Sequence, residues 1–577
     1  MDATILACMF RHAEETPGKV IYTSLERGES LRDTCTYAQL RDRVCAIANA
    51  LSDLEYEGER ALVLYANPVE FVQLFLGCLA AGVIAVPVAV PSRGTASGVA
   101  AIARNAGIRC VLAGRREQQL LQESIDDACG PLAWFDLEAL STGSASVASR
   151  RVDEIAHSVA DRIAFLQFTS GSTGAPKGVM VSHHNLMANE AIIGQAMRMH
   201  CDSVVVGWLP HYHDMGLIGN LLQPLYQGAQ CVLMQPVDFI QKPLRWLRAI
   251  SVHGGTTSGG PNFAYDLCVT RSTRSEREGL DLSRWDVAFT GAEPVNHTTI
   301  ERFIDAFAPH GLRRSVIYPC YGMAESTLFI TGAQQGAAAP VITLRTDALT
   351  IGNAIERATP GATQAAPYVG CGFTYHDTAM KIVHPETRCP LLAGHVGEIW
   401  VRGASVAHGY YNDPEATRHA FGATIEGAPS TPYLRTGDLG VMVDGHLIIV
   451  GRLKDVLVVR GRNYYPQDLE NTAQQAHSAL APGGGGTFQR AALHDERVVL
   501  VHELTRQGLR HADLQEVARS IRAAVIEHHG ITVNNIVFVK PGQLPRTTSG
   551  KIRRNHCRAL FERGDFEAIG IVEQAEV

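Results

Sequence analysis

The sequence of 577 residues has no excess of basic charge and no paired cysteines. Its 51 lysines and arginines are fewer than its 58 aspartates and glutamates, so the net charge of −7 gives no reason to expect nucleic acid or an anionic membrane as a partner. The 13 cysteines occur singly, without a C-x-x-C pair, which argues against a disulfide framework and a zinc site. Their odd number fits a reducing compartment, and we expect a cytoplasmic protein.

Long apolar segments are also missing. Residues 1–11 carry their only basic residue at the end and contain no long apolar core, so we do not expect a secretory signal. The most apolar stretch, residues 71–91, is interrupted by Gln73, Gly77, Gly82, Pro87 and Pro91. We therefore predict a buried helix followed by a core strand over residues 82–90, and no membrane span.

The composition is that of an ordinary globular protein, with 46% hydrophobic and 19% charged residues. The length favours several domains. Residues 1–160 alternate an amphipathic helix pattern, as at 37–51, with short apolar strands, as at 61–65 and 109–113. This alternation predicts an α/β layered fold with parallel strand pairing.

The pattern changes at about residue 370 to short strands of the antiparallel type. They are predicted at 379–384, 396–402, 433–438, 441–443 and 447–451. The Asp444-Gly445 pair is a hairpin signal, and together these strands predict a small β barrel or sheet. Residues 451–455 break this pattern, and the rest of the chain has the size of a separate α+β domain, in which we predict a flexible loop at the glycines of 483–486.

A polar loop follows the predicted buried strand at 163–168. Residues 169–178 contain three glycines, four hydroxyl side chains and Lys177, which together can supply backbone and side-chain donors and a positive charge to phosphate groups. Lys177 follows Pro176 and precedes a glycine, which excludes a standard P-loop. Composition alone also permits an ordinary surface loop.

Two further predicted strands are each followed by small residues and one carboxylate. The strand at 285–290 leads into Gly291-Ala292-Glu293, and the strand at 315–318 leads into 321–325, which ends in Glu325. Open α/β sheets bind nucleotides at such strand ends. Each acid could instead serve a helix N-terminus, but a phosphate-binding loop in the same chain favours a role with Mg²⁺.

A third predicted strand, 204–210, leads into a segment with two histidines and an aspartate, residues 211–216. The spacing is poor for a metal site on one helix face, and no third cluster completes a ligand shell. We predict that these side chains line a substrate pocket at the strand end.

Five segments, taken in order, resemble those of the adenylate-forming superfamily, which includes acyl-CoA synthetases, luciferases and peptide-synthetase adenylation domains. They are residues 169–178, 321–325, 433–438, 451–455 and 545–551. Residues 208–217, 256–262 and 460–468 resemble the fatty acyl-AMP ligase branch. Residues 343–365 resemble the insertion that distinguishes this branch from acyl-CoA synthetases; in the family it packs against the large domain and is thought to hinder the domain rotation needed for thioester formation with CoA.

The resemblance implies a large N-terminal domain, residues 1–452, built from layered α/β subdomains and a small β-barrel-like subdomain at about 370–452. A small, mobile α+β domain, residues 453–577, would follow, with Lys454 at the hinge. Many relatives have aspartate at the hinge position, but both residues occur there.

The resemblance also implies the reaction. ATP would activate a fatty acid to acyl-AMP with release of pyrophosphate, and the acyl group would pass to the phosphopantetheine of a separate acyl carrier protein or of a carrier domain of a polyketide or peptide synthase. The alternatives are an acyl-CoA ligase, an amino-acid adenylation enzyme in which Asp214 binds the amine, and a catalytically silent binding protein.

Site residues follow from the same resemblance. The β- and γ-phosphates of ATP would be wrapped by Thr169, Ser170, Gly171, Ser172, Thr173 and Gly174, with Lys177 adding a charge-assisted contact. Glu325 and Thr169 would hold Mg²⁺. The nucleotide would also contact Gly291, Ala292, Glu293, Tyr321, Gly322, Met323, Ala324, Asp438 and Arg452. Within this set Tyr321 would stack on adenine and Asp438 would bind the ribose; Ala324 replaces the threonine common in the superfamily, so one hydroxyl contact is missing.

Lys551 is the predicted catalytic residue, because a flexible lysine can bridge the attacking carboxylate and a phosphate oxygen. By position alone it could be a surface lysine of a basic, solvated turn. The predicted mouth of the acyl pocket comprises His213, Met215, Gly259 and Gly260. The apolar Leu217, Ile218 and Leu222 could line the tunnel or pack in the core.

Overall fold

The computed structural model describes residues 3–90, 96–141, 161–170, 176–459, 462–490, 497–547 and 550–573. The first part of the chain contains six helices, α1 to α6, and six strands, β1 to β6, within these described ranges. The helices are Ile5–Glu15, Tyr37–Asp53, Pro68–Ala80, Ala96–Ala106, Arg115–Cys129 and Leu137–Leu140. The strands are Val20–Glu26, Ser30–Thr36, Arg60–Leu64, Ile84–Pro87, Cys110–Ala113 and Ala133–Phe135.

The middle of the chain continues this alternation. Strands β7 to β14 are Ile163–Ser170, Pro176–Ser182, Val204–Gly207, Gln230–Leu233, Thr257–Gly259, Val287–Thr290, Ile317–Gly322 and Phe329–Gly332. Helices α7 to α12 are His183–Ala196, Gln223–Gln227, Pro236–Gln241, Leu244–His253, Asn262–Thr270 and His297–Phe307. A π-helix, Met215–Leu222, precedes α8. The predicted strand at 315–318 is shifted, because Arg314–Val316 forms a short 3-10 turn before β13.

The strands of this region form two large sheets. Among the described residues, one has the order β6-β5-β3-β4-β7-β8 and is parallel except for the β7–β8 hairpin. The other has the order β10-β9-β11-β12-β13 at its parallel centre, with β1 beside β10 and antiparallel strands at its ends. The predicted parallel α/β architecture is confirmed.

Alternation along β3 shows how one sheet builds two cores. Ala61 and Val63 face a cluster shared with α2, α3, α7 and the second sheet, whereas Leu62 and Leu64 face a cluster under α4 and α5. Strands buried on both faces have continuous apolar sequences for this reason. No helix in the described part of the chain is both long enough and apolar enough to cross a membrane.

An antiparallel layer follows. Strands β15 to β22 are Val341–Arg345, Ala365–Val369, Phe373–Thr374, Ala379–Val383, Gly397–Arg402, Ala423–Ile425, Ala428–Val443 and His446–Arg452, and helix α13 is Pro414–Phe421. Among the described residues, β15 pairs with β16, β17 extends the second large sheet beside β14, and β18 to β22 form the antiparallel layer. The strands predicted at 433–438 and 441–443 are one continuous strand, β21, which joins β22 through a turn at Asp444 and Gly445, both with positive φ. Within the described residues no ladder joins β18 to β22, so this layer is an open sheet and not a closed barrel.

The C-terminal part forms a smaller α+β unit. Strands β23 to β28 are Leu457–Val459, Arg462–Tyr464, Leu480–Gln489, Val498–Leu504, Asn535–Val539 and Gly570–Glu573. Helices α14 to α17 are Pro466–Ala476, Gly508–His511, Leu514–His529 and Arg554–Arg563. In the ranges that the structure covers, β25 to β28 form one sheet in that order.

The flexible loop predicted at residues 483–486 is wrong, because these glycines lie in strand β25. Gly485 and Gly486 pair with His502 and Val501 after a shift in register. A Cβ atom on Gly485 would lie 3.3 Å from the Glu470 side chain, and one on Gly486 would lie 3.1 Å from Ile552. The glycines therefore permit close packing of this strand against its neighbours.

Candidate active site

A cavity of about 1660 Å³ lies where the second large sheet, the antiparallel layer and the C-terminal unit meet. It opens at the carboxyl ends of β12 and β13, as expected for an open α/β sheet. Fifteen of the predicted site residues line it, and they come from the middle of the chain, the antiparallel layer and the C-terminal unit. They are Thr169, Lys177, His213, Met215, Ala292, Glu293, Tyr321, Gly322, Met323, Ala324, Glu325, Asp438, Arg452, Lys454 and Lys551.

The structure describes only the flanking parts of the predicted phosphate loop. Gly171, Ser172, Thr173 and Gly174 lie outside the described residues. On either side of them, the backbone of Ser170 pairs with Pro176, and that of Thr169 with Lys177, in the β7–β8 hairpin. The hairpin holds Thr169 and Lys177 side by side at the edge of the cavity.

Three predicted glycines lie behind the cavity wall and do not line the cavity. A Cβ on Gly259 would lie 2.0 Å from the carbonyl oxygen of Phe289, and one on Gly260 would lie 2.6 Å from the Trp208 ring. A Cβ on Gly291 would lie 2.8 Å from the carbonyl oxygen of Cys320. Gly259 and Gly260 provide space for Phe289 and Trp208, which line the cavity, and their place at the pocket mouth stays a prediction.

The apolar residues after His213 belong to the core. Leu217, Ile218 and Leu222 on the π-helix are fully buried in the cluster between the two sheets. Of the two histidines, His213 lines the cavity, whereas His211 is buried against Phe71 with ring centroids 4.6 Å apart. Burial lowers the pKa of His211 to about 4, so this imidazole is neutral at physiological pH.

Lys177 and Glu325 are linked by a tyrosine that the sequence did not reveal. The Tyr410 hydroxyl donates to Glu325 Oε1 at 2.8 Å, and Lys177 Nζ lies 4.8 Å from the centre of the Tyr410 ring. Lys177 Nζ is also 3.5 Å from Asp413 Oδ2. Tyr410 is 85 residues from Glu325 in the chain, so only folding brings the two together.

A tight turn sets the position of Glu325. The 3-10 segment Ala324–Ser326 is followed by Thr327 with φ 65°, which is strained for a β-branched residue. The Thr327 hydroxyl donates to the carbonyl oxygen of Ser405 at 2.7 Å, and the Ala407 N–H donates to the carbonyl oxygen of Glu325 at 3.0 Å. These buried bonds stabilise the turn and hold the Glu325 carboxylate at the cavity.

Asp438 is the centre of a second polar group. Its Oδ2 accepts from the Tyr321 hydroxyl at 2.9 Å, and its Oδ1 accepts from Arg452 Nε at 2.8 Å. Asp438 and Arg452 are direct partners across the β21–β22 hairpin. The Asp438 carboxylate raises the pKa of Arg452, whose side chain remains half-exposed toward the cavity.

Lys551 reaches the cavity from a hairpin of the C-terminal unit. The Thr547 N–H donates to the carbonyl oxygen of Lys551 at 2.7 Å, and the Lys551 N–H donates to Thr547 Oγ1 at 3.0 Å. Gly550 makes the turn with φ 88° and lies against Phe263 of the large domain.

The groups around Lys551 shift its pKa in opposite directions. Burial and the Arg452 guanidinium lower the pKa of Lys551, whereas the Asp214, Asp438 and Glu293 carboxylates oppose this shift. Burial raises the pKa of Glu293, although its Oε1 accepts from the Asn262 N–H at 3.0 Å.

These features are those of an adenylate-forming enzyme: an open α/β sheet with a large cavity at its strand ends, a hairpin that carries Thr169 and Lys177 at the cavity edge, and a lysine brought in by the C-terminal unit. The family model described as AMP-binding enzyme matches residues 9–411, and the model described as Disco-interacting protein 2-like, AMP domain, matches residues 454–570. The chain belongs to the fatty acyl-AMP ligase branch of this family, as shown by the relatives below.

Two similar proteins illustrate the branch. The chain is 38% identical to the medium-chain-fatty-acid–acyl-carrier-protein ligase JamA of Moorena producens, over 95% of this chain and 93% of the relative. It is 34% identical to the long-chain-fatty-acid–AMP ligase FadD26 of Mycobacterium marinum, over 99% of each chain.

The structure agrees with these sequence matches. A fatty acyl-adenylate ligase from L. pneumophila, solved with acyl adenylate and pyrophosphate, is 36% identical and covers 99% of this chain and 98% of its own, with a TM-score of 0.74. A chain from a study of fatty acyl-adenylate ligases of E. coli and L. pneumophila is 29% identical. The match covers 97% of this chain and 98% of that chain, with a TM-score of 0.87. The predicted family and fold class are confirmed.

Proposed function

We propose that this protein activates a fatty acid with ATP to form acyl-AMP and pyrophosphate, and then transfers the acyl group to the phosphopantetheine thiol of a separate carrier protein. The observation that carries the proposal is the convergence of Lys177, Glu325, Asp438 and Lys551 on one cavity. The names of the relatives, which specify fatty acids, AMP and carrier protein, support the substrate class.

Each polar group has a role in the proposed first step. Lys177 contacts the phosphates, Asp438 accepts hydrogen bonds from the ribose, and Tyr321 contacts the base. A fatty-acid carboxylate oxygen bonds to the α-phosphorus while the bond to the β-phosphate breaks. Negative charge then grows on the α-phosphate oxygens and on pyrophosphate, and the Lys551 ammonium stabilises it.

The site suits Mg²⁺. The described residues contain no group of three or more histidine, cysteine or carboxylate side chains able to hold a metal. Mg²⁺ is usually bound by one or two protein oxygens together with substrate phosphates, and Glu325 with Thr169 supplies such a set. When bound there with ATP, Mg²⁺ would neutralise phosphate charge during the departure of pyrophosphate.

The acyl chain requires an apolar surface next to these groups. Part of the cavity wall is aliphatic, with contributions from Ile193, Met197, Leu209, Met215 and Leu328. Burial of a fatty-acid tail against such a wall is favourable by about 25 cal/mol for each Å² of apolar surface that is removed from water. We propose that the tail lies along these residues with its carboxylate toward Lys551.

The predicted insertion supports an acyl-AMP product. Leu349 is buried with Val441 and Ile448 of the antiparallel layer, and its carbonyl oxygen accepts from the Tyr465 hydroxyl at 2.9 Å. The Tyr368 hydroxyl, on β16 just after the insertion, donates to Asp468 at 2.9 Å. The insertion region therefore contacts both the large domain and the segment after the hinge. We propose that the chain after Arg452 moves as a unit about Lys454 and that these contacts restrain it.

The test is a comparison of acceptors. Purified protein is incubated with ATP, Mg²⁺ and fatty acids of increasing length, and then with CoA or with a holo-acyl carrier protein. We expect acyl-AMP with the preferred acid, acyl transfer to the carrier and little acyl-CoA. Equal rates of acyl-CoA and acyl-AMP formation would identify a CoA ligase, and ATP binding without any acyl-AMP would identify a silent binding protein.

Replacing Tyr368 with phenylalanine is expected to increase acyl-CoA formation. The change removes the hydrogen bond to Asp468, and the loss of one such hydrogen bond costs about 0.5–1.5 kcal/mol, equivalent to about a two- to tenfold shift in population. Acyl-CoA formation by Tyr368→Phe, measured by chromatography, should rise by up to that factor. Tyr375→Phe, which removes a hydroxyl that donates to Ala333 within the large domain, is the control. Equal acyl-CoA yields from both variants would contradict the proposal.

The contact at Asp468 should make stability depend on pH. Burial raises the pKa of Asp468 from 3.8 to about 7, against the opposing effect of the Tyr368 hydrogen bond. The folded protein therefore favours protonated Asp468: its stabilising contribution is complete below pH 3.8 and is lost as pH rises through 7. Asp468→Asn should remove this dependence on pH. The melting temperature of the variant, relative to that of the wild type, should therefore rise as the pH is increased from 5 to 8. Asp565→Asn, an exposed change in the same unit, should show the wild-type slope; a wild-type slope in Asp468→Asn would contradict the assignment.

A further inference from the structure

Helix α14 contacts the large domain through polar side chains, among them Gln467, which donates to the carbonyl oxygen of Val450. Asp468 accepts from the Tyr368 hydroxyl at 2.9 Å, and Asn471 Oδ1 accepts from Asn296 Nδ2 at 3.1 Å. Asn296 is itself fixed, because its Oδ1 accepts from the Thr299 N–H at the start of α12. These contacts hold α14 in the orientation in which Lys551 lines the cavity.

Glu470, which lies between Asp468 and Asn471 on α14, points to a different neighbour. Its two carboxylate oxygens accept from Arg554 Nε at 2.8 Å and from Arg554 Nη2 at 2.6 Å. Arg554 Nη1 also lies 3.6 Å from Asp455 Oδ2, directly after the predicted hinge. The Arg554 and Glu470 side chains are only 21% and 11% exposed, so solvent screens this bidentate pair weakly.

Arg554 lies three residues after Lys551, and the chain between them is tightly held. The Arg553 N–H donates to the carbonyl oxygen of Pro545 at 2.9 Å, and Ile552 forms a β-bridge with Arg546. The base of the hairpin that carries Lys551 is therefore fixed to α14 through the Arg554–Glu470 pair.

We propose that Glu470 and Arg554 are positioning residues for Lys551: they connect the helix that rests on the large domain to the hairpin that places the lysine in the cavity. The inference rests on the proposed function for the role of Lys551 and extends it to two residues outside the reacting atoms. In the proposed mechanism Lys551 stabilises charge that develops during acyl-AMP formation, so we expect the pair to serve that half-reaction and not acyl transfer.

The test measures the two half-reactions separately. Pyrophosphate release is followed with ATP and the fatty acid that the wild type uses fastest, and transfer is followed in single turnover from purified acyl-AMP to holo-carrier protein. Since a displacement of about 1 Å can cost on the order of 100-fold in rate, Arg554→Gln and Glu470→Gln should lower kcat for pyrophosphate release by about 10–100-fold, with KM for ATP changed less than about threefold. Acyl transfer should change less than about threefold.

Conservative and control variants complete the design. Arg554→Lys keeps the charge but loses the bidentate geometry, so its kcat should lie between those of Arg554→Gln and the wild type. Arg563→Gln, on the same helix but paired with Asp565 at the surface, should leave both half-reactions at the wild-type rate. Glu470→Gln is nearly isosteric and tests the inference if Arg554→Gln does not fold.

A double variant separates positioning from a general structural role. If Arg554 acts through Lys551, adding Arg554→Gln to Lys551→Ala should slow pyrophosphate release no further. Unchanged kcat in the folded single variants, an equal fall in both half-reactions, or a further loss in the double variant would each overturn the inference. A wild-type protein that makes no acyl-AMP would refute the proposed function instead.

Discussion

Lys551→Ala is expected to slow acyl-AMP formation by about 10²–10³-fold, the cost of removing one group that stabilises developing charge in a transition state. The Lys551 side chain lines the cavity, and the two hydrogen bonds that join Lys551 to Thr547 use the lysine backbone, so the variant should fold normally. Pyrophosphate release that depends on the fatty acid provides the measurement, and melting temperature checks the fold.

The matched control is Lys540→Ala, an exposed lysine of the same C-terminal unit. It should release pyrophosphate at the wild-type rate. If Lys551→Ala does the same, the assignment of Lys551 as the catalytic residue is wrong. If acyl transfer from supplied acyl-AMP is preserved in Lys551→Ala, its role is confined to the first half-reaction.

Glu398→Ala is expected to produce the largest loss of stability, about 3–5 kcal/mol, because it leaves the largely buried Arg435 guanidinium without its carboxylate partner. Glu398 is 1% exposed. Its carboxylate accepts from Arg435 Nη2 at 2.7 Å, from Trp400 Nε1 at 2.9 Å and from the Gly437 N–H at 3.2 Å. The alanine variant would remove the acceptor of the Trp400 indole N–H and of the Gly437 N–H, and it would leave Arg435 Nη2 with the Pro385 carbonyl oxygen at 3.3 Å.

Urea denaturation checks this prediction. Glu398→Gln keeps one acceptor oxygen and should shift the midpoint less than Glu398→Ala. Arg357→Ala breaks an ion pair with Asp444 in which both side chains are more than half exposed, and it should cost about 0–1 kcal/mol. A midpoint for Glu398→Ala equal to that of Arg357→Ala would show that the buried network does not stabilise the sheet.

The local parts of the fold could be predicted from sequence. The helix at 37–51 and the strands at 61–65 and 109–113 appear as Tyr37–Asp53, Arg60–Leu64 and Cys110–Ala113. Apolar periodicity identifies such elements because each side chain faces a core or solvent according to its position along the element. The same reasoning failed at residues 483–486, where glycine composition indicated a loop but pairing with β26 imposed a strand.

The candidate site, like the fold, could be predicted from the sequence only in part. Thr169, Glu325, Asp438 and Lys551 were found because each lies in a segment with a recognisable local pattern, and all four line the cavity. Gly259 and Gly260 lie in such a segment too, yet they face Phe289 and Trp208, since the direction of a backbone face depends on how the sheet packs. Tyr410 has no local pattern, and nothing in the sequence indicated its contact with Glu325.

The sequence by itself determined the class of enzyme, the order of its motifs and the types of most secondary-structure elements, because these depend on residue type, spacing and short-range periodicity. Only the tertiary structure decided which side chains meet: Tyr321 with Asp438 across 117 residues, Asn296 with Asn471 across 175, and Glu470 with Arg554 across 84. Such contacts follow from the packing of sheets and helices made by distant parts of the chain, and no single segment encodes them.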